Sequence, residues 1–383
     1  MRIRVTHVAT ILAVFGAAAL GTPACDSGTF PAYDRVQLLQ ETTEMLVLPA
    51  LDRAATQSDA MRTAATALCA SPSASTLGAA RSAWHDSFLA YHATVAFQIG
   101  PSRSLHFTSL ANWPADLTVL ESIALGIAPY TGPIDASFVD ALGTTESGYV
   151  ALEYLLFAYP SYVGPDDTST LAALASPRRC ALAAALADRI ARLSEDVNAA
   201  WRPNGGNYED VFINASDPTV FTSPQSAVQE LVSQVDEALD KIRDDRLGTP
   251  LGRTMHDGPI QSPYAHASVA AMEACFESAA SVWSGTPHGL DAFLRTRNVR
   301  LADAMIMQFD RTRTELAALE SPPLSPPWEE YADGHDQLVL GVENASYAAG
   351  NAAYDDLVVL QDALTSDVGS TMGLSVGLPT DGD

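Results

Sequence analysis

The 383-residue chain holds a single lysine, Lys241, and only 21 basic residues against 46 acidic ones. One lysine excludes several chemistries at once. A phosphate-cradling loop needs Gly-Lys-Ser/Thr, a serine–lysine hydrolase needs Ser-x-x-Lys, and a pyridoxal enzyme needs a lysine in its pocket. Lys241 stands in none of these contexts; its neighbours include Asp240, Asp244 and Asp245. The formal charge of −25 argues against nucleic acid, because phosphate-backbone binding draws its affinity from clustered Lys and Arg. His-Glu-x-x-His is also missing, and with it the zincin arrangement of two ligands and a base on one helix. The acidic loops lack the alternating oxygens of an EF-hand. Apolar material, by contrast, is plentiful. With 47% hydrophobic and 17% charged residues, the chain can bury a sizeable core and is not disordered.

The first residues read as an export address. Arg2 and Arg4 precede an uncharged apolar run, Val8 to Leu20, which is too short for an ordinary membrane-spanning helix. Small residues then lead to Cys25, as in a bacterial lipoprotein signal whose cysteine is lipidated, although the usual Leu three places before it is missing. The expectation is an exported protein, held through Cys25 on the periplasmic or cell-surface face of a bacterial membrane; simple secretion is the alternative. Export changes what the remaining cysteines mean, since oxidising compartments favour disulfides. Cys69 and Cys180 both adjoin helix-boundary signals, Cys69-Ala-Ser-Pro72 and Ser176-Pro177-Arg-Arg-Cys180, and are the favoured pair. Cys275 lies inside an apolar helical pattern and reads as a buried free thiol.

The mature chain carries helical periodicity nearly throughout. Leu77, Trp84, Phe88, Tyr91 and Val95 fall on one face. Leu182, Leu186, Ile190, Leu193, Val197 and Trp201 form another stripe, and Val228, Leu231, Val235, Leu239 and Ile242 a third. Further helical segments are expected near 36–68, 147–158, 262–284, 288–319 and 328–366. The fold class is all-α. Pro, Gly and Asn crowd residues 202–222, which places a boundary there. The expected organisation is a signal peptide (1–24), a lipidated start and linker (25–35), a first helical bundle (36–201), a linker (202–222) and a second bundle (223–383). The segment 98–146 is long for a plain connection, and such loops are often functional.

Several segments, taken in order, resemble the imelysin family, also known as the insulin-cleaving membrane protease family, which includes iron-regulated surface proteins. They are Ala80-Arg81-Ser-Ala-Trp84, Phe97-Gln-Ile-Gly100-Pro101, Asn112-Trp113-Pro114-Ala-Asp116, Gly148-Tyr-Val-Ala-Leu-Glu153-Tyr-Leu-Leu-Phe157, and the end of the chain from Met372 to Asp383. The resemblance implies two antiparallel helical bundles with a cleft between them. It also implies a site at the family's Gly-x-His-x-x-Glu pattern, where Gly148 and Glu153 match but Val150 replaces the histidine. Residues three apart on a helix share a face, so an imidazole and a carboxylate could grip one cation. Valine ligates nothing.

Glu153 is therefore the one motif candidate for metal, iron or another divalent ion. Gly148, Trp113, Asp116, His106 and Arg81 are the candidates to line a ligand site with it. His106 attracts interest because the 98–146 loop could fold over the Glu153 helix. The other histidines singled out, His85, His92, His266, His288 and His335, read first as solvated or capping. The structural alternative for Glu153 is a buried carboxylate satisfied by Arg81, Tyr154 or Trp113. Three functions follow: a non-catalytic envelope binding protein tied to iron or metal uptake, a partner-binding lipoprotein that has lost the metal site, or a metallopeptidase. The expected partners are a membrane reached through the N-terminal lipid, and a metal ion or an envelope protein.

Overall fold

Helix forms wherever the sequence supplies an apolar stripe and a cap. The computed structural model describes residues 33–157, 167–254, 260–319 and 345–374, and among these there is no strand. The Asp34 carboxylate accepts the Gln37 N–H to open α1 (Arg35–Thr42), which runs through a π-helical turn, Thr43–Val47, into α2 (Leu48–Ala70). Ser71-Pro72 ends it. Ser73 and Thr76 then cap each other's backbone to start α3 (Ala74–His92). The long 98–146 stretch folds into α4 (Pro101–Ser104), α5 (Leu117–Leu125) and α6 (Ala136–Asp140). After it come α7 (Tyr149–Phe157), α8 (Asp167–Leu174) and α9 (Pro177–Trp201).

α2 and α9 run antiparallel along their whole length, as contacts at both ends show. Cys69, near the end of α2, is disulfide-bonded to Cys180 near the start of α9. At the other end Arg202 pairs with Asp52, and the Asn198 amide donates to Asp52 at 2.9 Å. The stripes supply the filling: Leu182, Leu186, Ile190, Val197 and Trp201 on α9, and Leu77, Trp84 and Phe88 on α3, are all buried.

The stretch 202–222 is not a bare connection. It contains α10 (Tyr208–Asn214), whose fully buried Phe212 packs edge-on against Trp201 and Phe221. The Tyr208 ring occupies the space beside Gly100. A Cβ there would lie 2.1 Å from that ring, and Gly100 also has φ +53°, so the Gly100-Pro101 motif is glycine for two reasons. Ser223 caps α11 (Pro224–Asp240), which continues as a π-helical turn, Lys241–Gly248. The remaining helices are α12 (Ser268–Ser284), α13 (Leu290–Arg295), α14 (Val299–Ala317), α15 (Ala345–Asp362) and α16 (Gly369–Met372).

Two expected segments are shorter than their periodicity suggests. The segment 288–319 breaks at 296–298, where Asn298 caps α14. The segment 262–284 becomes helical only at Ser268, because Pro263 disfavours helix at Ser262 and His266 adopts a left-handed backbone. The lost turn and a half leaves residues 262–267 as a loop. α3 packs on α12, α1 on α11, and the turn Val95–Phe97 on both α11 and α12. From Tyr33 onward the described residues thus form one compact unit.

Candidate functional site

Gly148 determines how α7 enters the core. A Cβ on it would lie 2.2 Å from the Leu110 carbonyl oxygen, so only glycine lets the start of α7 pass the Phe107–Ala111 turn. The clash is with backbone, which cannot swing aside. Gly148→Ala is expected to cost about 1–3 kcal/mol and to displace α7, read as a lowered urea midpoint with the helix content retained. The Trp84 indole N–H donates to the Tyr149 carbonyl at 3.0 Å and fixes the same end of the helix.

Five residues on from Gly148, the Glu153 carboxyl group is completely buried. Its Oε1 accepts three hydrogen bonds from one short loop: the Ser262 hydroxyl at 2.8 Å, the Tyr264 N–H at 2.9 Å and the Ala265 N–H at 2.7 Å. Its Oε2 has no hydrogen-bond partner. Burial pushes the carboxyl up to about 7, and the bonds from Ala265, Ser262 and Tyr264 offset only part of that shift.

The next side chain on the loop leads to a second polar group. Gln261 receives the Arg246 Nε–H at 3.0 Å on its carbonyl oxygen, and its own amide donates to the Ala111 carbonyl at 2.9 Å. Arg246 lies on the π-helical turn, is 5% exposed, and has its guanidinium 5.9 Å from the centre of the Trp113 ring. Its Nη2 lies 3.3 Å from His92 Nδ1. Arginine can only donate, so His92 Nδ1 accepts and the imidazole proton is on Nε2. Burial, and after it the neighbouring Arg246 and Lys241 charges, hold His92 well below the usual imidazole range, so the ring is neutral. His92 is therefore a core histidine, neither solvated nor capping.

The candidate residues read from the sequence separate in space. Arg81 does not pair with Glu153. Its Nε donates to the Leu156 carbonyl at 2.8 Å, it pairs with Asp167, and it lies over the Phe157 ring, so it finishes the far end of α7. The Tyr154 hydroxyl donates to Glu121 at 2.7 Å, a carboxylate that also binds Arg179. Trp113 is half-buried against Arg246. Asp116 caps α5 by accepting the Val119 N–H at 3.0 Å. His106 is exposed, with a left-handed backbone, at the start of the Phe107–Ala111 turn, and it is not among the partners of Glu153. Cys275 is a buried free thiol. Cys25, His335 and residues 375–383 of the terminal motif lie outside the described residues.

The loop that satisfies Glu153 escaped the sequence reading because periodicity made it part of a helix, and two of its three donors are backbone N–H groups, which every non-proline residue has. The Ser262-Pro263 pair was the available signal.

A transition metal does not fit this arrangement. The position three before Glu153 is Val150, the Oε1 lone pairs face hydrogen-bond donors, and among the described residues no group of three or more His, Cys, Asp or Glu side chains comes together.

Fold and site together define an all-helical protein of the imelysin class, with a glycine-launched helix carrying a buried glutamate. The imelysin family profile matches residues 47–364, and the chain belongs to that family. Its fold is similar to the crystal structure of an imelysin-like protein from Psychrobacter arcticum 273-4, with TM-score 0.68 and 19% identity over 90% of this chain and 97% of that one. A proposed iron-regulated protein A precursor from Parabacteroides distasonis ATCC 8503 matches with TM-score 0.68 and 16% identity, over 88% of this chain and 97% of that one. No curated protein matches the chain.

Proposed function

We propose that this imelysin-family chain is an exported envelope protein, lipid-anchored at Cys25, that binds a partner or ligand without catalysis and without a metal at Glu153. The observation that carries the reading is the state of Glu153: one oxygen is saturated by the 262–265 loop, and the carboxyl is shifted toward its neutral form. A carboxyl held this way is a poor cation ligand, and no second ligand stands at Val150. Export is supported by the Met1–Cys25 sequence and by the Cys69–Cys180 bond, which persists in an oxidising compartment and not in a reducing one. Among the described residues no helix is long and apolar enough to cross a membrane, which agrees with attachment through a lipid.

The test is elemental analysis of the untagged protein, followed by calorimetric titration with Fe²⁺, Fe³⁺ and Zn²⁺. No stoichiometric binding at micromolar concentrations is expected, with wild type and Glu153→Ala alike. Stoichiometric binding abolished by Glu153→Ala would restore the metal-uptake reading. Metal-dependent proteolysis lost in Glu153→Gln would restore the peptidase.

A further inference from the structure

Arg246 is a buried cation that makes no direct ion pair among the described residues. It is 5% exposed, and among the described residues no carboxylate lies within ion-pair distance of it. Its chain neighbour Asp245 is exposed; its carboxyl feels the Arg246 charge without hydrogen-bonding to the guanidinium. Buried charges in folded proteins are paired, because an unpaired one forfeits its hydration with nothing in return. Gln261 and His92 supply neutral acceptors to Nε and Nη2, and the buried Cys275 thiol lies beside the guanidinium, but Nη1 makes no well-formed hydrogen bond.

The second orphan belongs to the side chain in contact with it. His92 Nδ1 accepts from Arg246, so Nε2 carries the proton, and this buried N–H has no partner either. Both orphans are donors. A water molecule could satisfy donors but would leave the charge unbalanced; a group with only acceptor oxygens and a negative charge satisfies both requirements. The Trp113 ring centre lies 5.9 Å from the guanidinium carbon, a cation–π contact that covers one side of the cation. In a chain of formal charge −25, a buried arginine without a direct ion pair stands out from its surroundings.

We propose that Arg246, with His92 Nε2–H as second donor, anchors a small oxyanion, either a carboxylate or an inorganic oxyanion of the phosphate type. The proposal goes beyond the binding-protein reading by assigning a ligand class. Its failure is separable from the failure of that reading, since one is decided by titration with anions and the other by titration with cations.

The test uses the purified chain in zwitterionic buffer poor in chloride, titrated with formate, acetate and inorganic phosphate. Tryptophan emission and the line width of carbon-13 formate are followed. One-to-one saturation by at least one of the three is expected, weakened about tenfold or more by Arg246→Gln, the size of a lost charge-assisted bond. His92→Phe, which keeps an aromatic ring against Phe88 and Tyr91, is expected to weaken binding about threefold. Saturation by formate or acetate but not phosphate identifies a carboxylate ligand, and the reverse a phosphate-type one. Absence of saturation by all three overturns the proposal, as does affinity unchanged in Arg246→Gln. If Arg246→Gln does not fold, unchanged affinity in His92→Phe overturns it.

Discussion

Urea denaturation of the wild-type protein is expected to show stability falling as pH rises from about 4.5 to about 7, and Glu153→Gln is expected to remove that fall. The window is set by the carboxyl itself, which burial raises from an ordinary 4.5 to about 7 against the pull of the Ala265, Ser262 and Tyr264 bonds. Between the two values the folded protein holds the proton and the unfolded chain has released it. Raising the pH therefore favours unfolding. The stabilisation is complete below the unfolded value and lost as pH passes the folded one. At ~1.4 kcal/mol for each pKa unit, the loss is about 3 kcal/mol. Glutamine keeps an acceptor oxygen for the three donors and never ionises, so at pH of about 8 the variant should exceed wild type by up to about 3 kcal/mol.

Alanine is the contrasting case. It leaves the Ser262 hydroxyl and the Tyr264 and Ala265 N–H groups buried without their acceptor, at about 1–3 kcal/mol each before any water enters. Glu153→Ala should thus be the least stable of the three at pH of about 5, where wild type is strongest. Parallel pH profiles for wild type and Glu153→Gln would contradict the account, because the difference between them isolates this one group.

The second large effect concerns Cys69 and Cys180, which close a loop of sequence separation 111. The chain-entropy estimate for a loop of that size is about 4–5 kcal/mol, lost when both residues become serine. The bond joins the end of α2 to the start of α9, and these helices also hold each other through Asp52, Asn198 and Arg202 at the opposite end. The fold is therefore expected to survive reduction with a much lower urea midpoint. Equal midpoints with and without reductant would show that this pairing contributes nothing beyond the packing already present.

Much of this architecture is legible in the residues. The α3, α9 and α11 stripes are buried where their spacing places them, apart from the half-buried Leu193, since a helix has one apolar face and must cover it. The proline and serine signals beside Cys69 and Cys180 mark the helix ends at which the bond lies. Gly148 and Glu153 stand out through the resemblance, and the structure gives each a distinct physical job. The partners of Glu153 were not legible. Arg81, Tyr154 and Trp113 were the side chains within plausible reach by sequence, yet each has its own engagement on Leu156, Glu121 or Arg246. A distant loop supplies the bonds instead, mostly through backbone, and Arg246 and His92 come together only because a π-helical turn meets the end of α3. Neither juxtaposition has a local sequence signature.

The cradle on Glu153 also sets an order of events as the chain is delivered to the compartment where it folds. Ser262 arrives 109 residues after the glutamate it serves. Until then α2, α3, α7 and α9 can assemble only around a carboxyl group that lacks its donors, so the early part of the chain waits for the later part to complete its centre. A fragment ending before Ser262 therefore carries the Glu153 carboxyl without the three donors that satisfy it.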